Sequence, residues 1–234
     1  MNAKILIVAL CAFQLAAGQD ASSLTQSLNS AASSTNASVQ AQVTSAIQQA
    51  QAAANATVQN VTQQLQAVQT AALQYAQNIN ATTQQAAACL SEAANQSAAI
   101  INATKASIQQ QLANATAQIT SVGQNFASSL SSLASNIVSQ ISNFASLLLN
   151  PLNLIFNPGK ILSAASQIQT SITSIPTLGL SAIQNISQVA ATPTPDTYSS
   201  ALNQGPALFN QTVQCLQNSV ASATPADNST AATP

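Results

Sequence analysis

Ten asparagines in this chain stand two residues before a serine or threonine with no proline between them: Asn36, Asn55, Asn60, Asn80, Asn95, Asn102, Asn114, Asn185, Asn210 and Asn228. That spacing is the acceptor for N-linked sugar, in which the asparagine carboxamide takes the glycan and the hydroxyl at the third position completes the signal. A second chemistry is offered by Cys89 in "AAACLSEA" and Cys215 in "TVQCLQNS". Joined, they close a loop of over 120 residues. The chain-entropy model assigns such a loop about 4–5 kcal/mol. The internal bridge is the favoured reading, with two free or intermolecular thiols as the alternative.

Most other chemistry lacks its residues. The chain has no histidine, which removes the usual general base and the commonest metal ligand. Its acids, Asp20, Glu92, Asp196 and Asp227, are scattered, so no paired-carboxylate site is visible. Lys160 in "NPGKIL" lacks the first glycine and the Ser/Thr of a phosphate loop and reads as a turn lysine at a helix start. Lys105 and Lys160 are the only basic residues after Lys4, too few to neutralise a nucleic-acid backbone or to dock basic helices on a membrane. Two thiols do not make a four-cysteine zinc site. The reading is therefore no enzyme, with no catalytic residue, metal or cofactor and no nucleic-acid partner.

The N-terminus gives the compartment. "MNAKILIVALCAFQLAAG" carries one lysine, an apolar run from Ile5 and small residues at Ala16 and Gly18. This is the pattern of a cleaved secretory signal over residues 1–18. Its run is shorter than the ~20 residues of a membrane span. Cys11 leaves with it, so two cysteines remain in an oxidising route. The most apolar later stretch, Phe144 to Leu162, is interrupted by Asn150-Pro151 and Asn157-Pro158-Gly159. It reads as a helix end, a buried turn and a helix start. A secreted protein without a membrane span follows.

The elements that must carry the acceptors are helices. No proline occurs between Ala37 and Asn150. Apolar residues recur at Val58, Val61, Leu65, Val68, Ala72, Tyr75 and Ile79, alternating steps of three and four. The pattern resumes at Ile108, Leu112, Ala115, Ile119, Val122, Phe126, Leu130, Leu133, Ile137, Ile141, Phe144 and Leu148. Nothing shows the period of two that strands need. One helix of a hundred residues would be ~150 Å long, so the chain is expected to fold back, with breaks near Gln77–Thr83 and near Gly123. The expected fold is all-α: long amphipathic helices folded back as a bundle or antiparallel coiled coil, with a disordered C-terminal tail. The expected organisation after the signal is a polar segment over 19–36 and a helical domain over 37–190. A Thr/Pro linker at 191–197, a C-terminal helix over 198–222 and a disordered tail at 223–234 complete it. Pro176 and Gly179 are expected to divide Lys160–Ser174 from Ser181–Ala190, and the last helix to start near Gln204 or Pro206.

Sequons and seam can be set against each other. With Val58 at heptad position a, Asn55, Asn60 and Asn80 fall at e, c and b. In the register of Ile108 and Leu112, Asn95, Asn102 and Asn114 fall at e, e and c. None lands on the seam, as acceptors that must stay outside require. With net charge −1 and 3% charged residues, amide, hydroxyl and sugar must keep the helices in water.

The signal, the Ala/Ser/Asn/Gln-rich helices, "AAACLSEAANQS" around Cys89 and "TVQCLQNSV" around Cys215 together resemble the tsetse EP protein family over roughly Ala86 to Ser219. The Glu-Pro repeats that name its founding member are absent. The resemblance implies a secreted dipteran protein, midgut-expressed and immune-linked, with no catalytic residues to carry over. The expected function is a non-catalytic protective or interaction role at a luminal or epithelial surface. Two alternatives stay open: a carrier of a small apolar ligand around Leu147–Leu162, where Phe126, Phe144, Phe156 and Phe209 line a cavity or simply form core, and a structural coiled-coil secretion. Self-association through the helix seam is also open, and the partner protein or apolar ligand is unknown.

Overall fold

The structure, a computed structural model, describes residues 21–149, 157–191 and 195–222. The signal segment, the turn around Pro151 with Phe156, and the tail with Asn228 lie outside the described residues. Four helices follow in order: α1 Ala21–Asn78, α2 Gln84–Leu149, α3 Pro158–Ala191 and α4 Pro195–Ala221. Among the described residues there is no strand, and the helices pack against one another as an all-α bundle.

Good helix formers, Ala and Gln above all, build α1 and α2. Ser and Thr are poorer, and the structure shows how they are accommodated. Thr44 and Thr62 donate their hydroxyls to the carbonyls of Gln40 and Val58, at 3.1 and 2.8 Å, the local bond that lets a hydroxyl sit inside a helix.

The chain folds back at 79–83. Asn80 takes φ 52°, a left-handed conformation that asparagine tolerates better than most residues. The Ala81 amide bonds the Ala76 carbonyl at 2.9 Å and the Asn80 amide bonds that of Gln77 at 3.1 Å, the paired bonds that close a helix C-terminus. Thr83 then starts α2, its hydroxyl accepting from the Ala86 amide at 3.1 Å. The expected break over Gln77–Thr83 is where it was placed.

Other breaks are not. Helix α2 runs through Gly123, because the apolar beat continues on both sides and Ile119 and Phe126 are both buried. Helix α3 runs through Pro176 and Gly179. Its stripe Ile168, Ile172, Ile175, Ala182, Ile186 is buried without interruption, while Pro176 faces solvent. Burial of that stripe outweighs the ~3 kcal/mol that an interior proline costs. The N-terminal polar segment is helical from Ala21, with Leu24, Leu28 and Val39 buried. Helix α4 begins at Pro195, inside the expected linker, since a first-turn proline has no amide bond to lose. It passes Pro206 because Gly205, ahead of it, has no Cβ to clash with the proline ring.

The chain divides into two compact units. Unit 1 comprises Met1–Gln48 and Thr116–Ala190, and unit 2 comprises Gln49–Ala115 and Ala191–Pro234. The residues of the expected 37–190 domain are thus shared between them.

Unit 1 has a core of large side chains. Leu28, Val39, Ile119, Ile137, Phe144, Ile168, Ile175 and Ile186 are each almost fully buried. Cross-helix polar bonds in this unit include Gln42 Nε2 donating to Ser187 Oγ at 3.3 Å and Ser171 Oγ donating to Gln140 Oε1 at 3.4 Å. Helices approach closely at two glycines. A Cβ on Gly123 would stand 3.0 Å from Val43 Cγ2, and one on Gly179 would collide with Thr35 Cγ2. Thr35 is buried and β-branched, so it has little room to turn aside. Gly179→Ala gains about 1 kcal/mol of helix propensity but overpacks a filled site, at a cost of about 1–3 kcal/mol. The expected outcome is a net loss on the order of 1 kcal/mol in denaturant unfolding. A gain in stability would show that α1 and α3 are not in contact here.

Unit 2 is built differently. Its buried apolar residues include Val61, Leu65, Leu208 and Leu216, but most of the rest are small: Ala72, Ala76, Ala86, Ala93 and Ala201. Small residues let helices approach but bury little area each. Five hydroxyl residues, Thr57, Ser97, Thr104, Thr212 and Ser219, are buried in this unit.

Candidate functional site

Cys89 on α2 and Cys215 on α4 form a disulfide, with Cα atoms 5.8 Å apart and a sequence separation of 126. Cys89 is buried among Ala76, Ala86 and Leu216. The bridge ties the last helix of unit 2 to the start of α2. A second tie lies nearby, where Gln217 Nε2 donates to the Tyr75 hydroxyl at 2.7 Å. Tyr75 is half-buried, as expected of a seam residue.

The seam is where the three-and-four spacing places it. Val61, Leu65 and Ala72 are buried, and Val58, Val68 and Ile79 are half-buried. Ile108, Ala115, Ile119, Phe126, Leu130, Ile137, Ile141 and Phe144 are buried, with Leu112, Val122, Leu133 and Leu148 half-buried. On the other face, Asn55, Asn60, Asn80, Asn95, Asn102, Asn114, Asn185 and Asn210 are all exposed. Asn36 is half-buried. Nine acceptor side chains thus have a described position, and none lies in a core.

Their distribution between the units is uneven. Asn36 and Asn185 are in unit 1, while Asn55, Asn60, Asn80, Asn95, Asn102, Asn114 and Asn210 are in unit 2. The unit with the slimmer core holds the disulfide and most of the acceptors.

No protein-family model, curated protein or solved structure matches the chain.

The remaining candidates sit on the surface or in the core. Glu92 is exposed and accepts from Gln96 Nε2 at 2.9 Å, a pair one turn apart on α2. Lys160 is exposed in the first turn of α3, where its amide bonds the Asn157 carbonyl at 3.1 Å. Phe126 and Phe144 pack in the core of unit 1, and Phe209 is half-buried. A hollow of about 810 Å³ beside the disulfide is lined by Gln85, Ala88, Glu92, Gln211, Gln214 and Asn218 along with the two cysteines. Among the described residues, no group of three metal-ligating side chains occurs, and no helix is long and apolar enough to cross a membrane.

The sequence reading missed what lies two residues after each acceptor. In a helix, positions i and i+2 do not share a face. At Asn55, Asn95, Asn102 and Asn210 the asparagine is exposed and its partner hydroxyl residue is buried, whereas Ser38 and Ser187, partners of Asn36 and Asn185, are exposed. The spacing separates the two faces, and the register of each sequon against the seam decides whether the hydroxyl is buried.

Proposed function

We propose that this is a secreted, heavily N-glycosylated helical protein with a non-catalytic protective or interaction role at a luminal or epithelial surface. The observation that carries the reading is the outward position of eight of the nine described acceptor asparagines, beside a seam whose apolar residues are buried. Exposure on helices is what a bulky, hydrated modification needs. The disulfide fits an oxidising compartment. The resemblance of Ala86–Ser219 to secreted dipteran proteins points the same way.

Sugar on these positions explains the composition. With 3% of residues charged, the surface has little ionic repulsion to keep molecules apart, and glycans supply the hydrated layer that charges supply elsewhere. They also restrict protease access to Lys105 and Lys160, the only sites after the signal that a Lys/Arg-specific protease can cut.

Enzymatic removal of N-glycans from protein secreted by a eukaryotic cell tests the reading. The expected outcome is a large downward shift on a denaturing gel, passing through several partially trimmed bands. Unchanged mobility would eliminate the glycoprotein function.

A further inference from the structure

Six polar residues are buried among the described residues: Thr35, Thr57, Ser97, Thr104, Thr212 and Ser219. Four of them are sequon hydroxyls, belonging to Asn55, Asn95, Asn102 and Asn210. All four lie in unit 2. At Thr57, Thr212 and Ser97 the hydroxyl makes no hydrogen bond to another helix. Thr57 and Thr212 return theirs to the carbonyls of Ala53 and Leu208 in their own helix, at 2.9 and 2.8 Å. Ser97 is fully buried and its Oγ has no hydrogen-bond partner. A buried hydroxyl without a partner destabilises the fold relative to alanine, and an unpaired polar group in a core calls for another explanation.

We infer that these four hydroxyls are acceptor groups used before unit 2 folds and then enclosed in its core, so that glycosylation at Asn55, Asn95, Asn102 and Asn210 must precede helix packing. The inference rests on the glycoprotein reading above. In the transfer, the asparagine Nδ2 forms a bond to the anomeric carbon of an oligosaccharide carried on a lipid diphosphate. The anomeric C–O bond breaks, the lipid diphosphate leaves with the bonding pair, and the amide gives up one proton. The transferase and the lipid-linked sugar come from the secretory compartment. An enzyme that reads both the amide and the hydroxyl needs them on one accessible stretch of backbone. In the packed helices the amide faces water and the hydroxyl faces the core.

Chain order supplies the interval. Unit 2 packs residues 49–115 against α4, the last helix to be made, and its disulfide waits for Cys215. Asn55, Asn95 and Asn102 are synthesised long before that closure is available. Asn80 is the contrasting case. It and its partner Thr82 are both exposed, on the non-helical turn between α1 and α2.

The test compares sites within one wild-type sequence. Site occupancy is mapped by mass spectrometry on the full chain secreted from a eukaryotic cell, and again on a chain made without glycans, folded and oxidised. The folded chain is incubated with oligosaccharyl transferase and a lipid-diphosphate-linked oligosaccharide, with an unstructured acceptor peptide present to report turnover. The expected result is occupancy at all four sites in the secreted protein. In the folded chain, Asn80 is modified and none of the four is. Modification of Asn55, Asn95, Asn102 or Asn210 in the folded chain overturns the order of events. Failure at Asn80 while the peptide is modified overturns the claim that hydroxyl exposure decides. A secreted protein occupied at Asn36, Asn80 or Asn185 but bare at the four sinks this inference and leaves the glycoprotein reading standing. No occupancy anywhere removes both.

Discussion

Cys215→Ser should weaken unit 2 by about 4–5 kcal/mol while unit 1 keeps its stability. The magnitude comes from the length of chain that the bridge closes, 126 positions, which restricts the unfolded ensemble far more than a short loop would. The location comes from the cores. Unit 2 relies on alanine and on buried hydroxyl residues, so little apolar burial is left to hold α4 once the covalent tie is gone. Serine keeps the volume of the thiol nearly unchanged, and Cys215 is exposed, so the substitution removes the bond without opening a cavity. Amide hydrogen exchange resolves the outcome by segment: residues 49–115 and 195–221 should exchange faster, and residues 21–48 and 158–190 should not. Equal acceleration in both units would contradict the division into two clusters. Unchanged exchange would mean that packing alone closes unit 2.

The second large effect belongs to unit 1. Phe144→Ala should cost roughly 3–5 kcal/mol, the range for deleting a buried aromatic ring. Phe144 is 0% exposed and belongs to the main cluster with Ile141 and Ile161. Five residues away, Leu149 is 83% exposed, and Leu149→Ala should change stability by less than about 0.5 kcal/mol. Denaturant unfolding followed by helical circular dichroism measures both. Equal effects would mean that the register of α2 in unit 1 is misplaced by part of a turn.

The two halves of the chain were unequally legible. From Val58 to Ile79 and from Ile108 to Leu148 the seam could be read directly, because Val, Leu, Ile and Phe stand out against Ala, Gln, Ser and Thr. Between Leu28 and Val58 the buried positions are Thr35, Val39, Ala46, Ala50, Ala54 and Thr57. Alanine and threonine also cover the outside of these helices, so no contrast marks the buried face and the start of α1 was overlooked. Pro176 misled for a related reason. Local backbone preference argues for a break, and only the burial of Ile172, Ile175 and Ile186 against other helices reverses it. The division into units could not be read at all, because it depends on which distant segments pack together. The outward direction of the sequon asparagines was legible, since the seam fixes the outer face once the helix is granted. Their hydroxyl partners are not fixed by that alone: Thr57, Ser97, Thr104 and Thr212 are buried, while Ser38 and Ser187 are exposed.

The bridge has one more effect, on molecules that have already been damaged. Lys105 and Lys160 both lie between Cys89 and Cys215. A trypsin-like cut after either one leaves the two pieces covalently joined, and cuts after both leave the first and last pieces joined, with residues 106–160 held by packing alone. Attack by a Lys/Arg-specific protease at these bonds therefore nicks the protein without letting its ends drift apart.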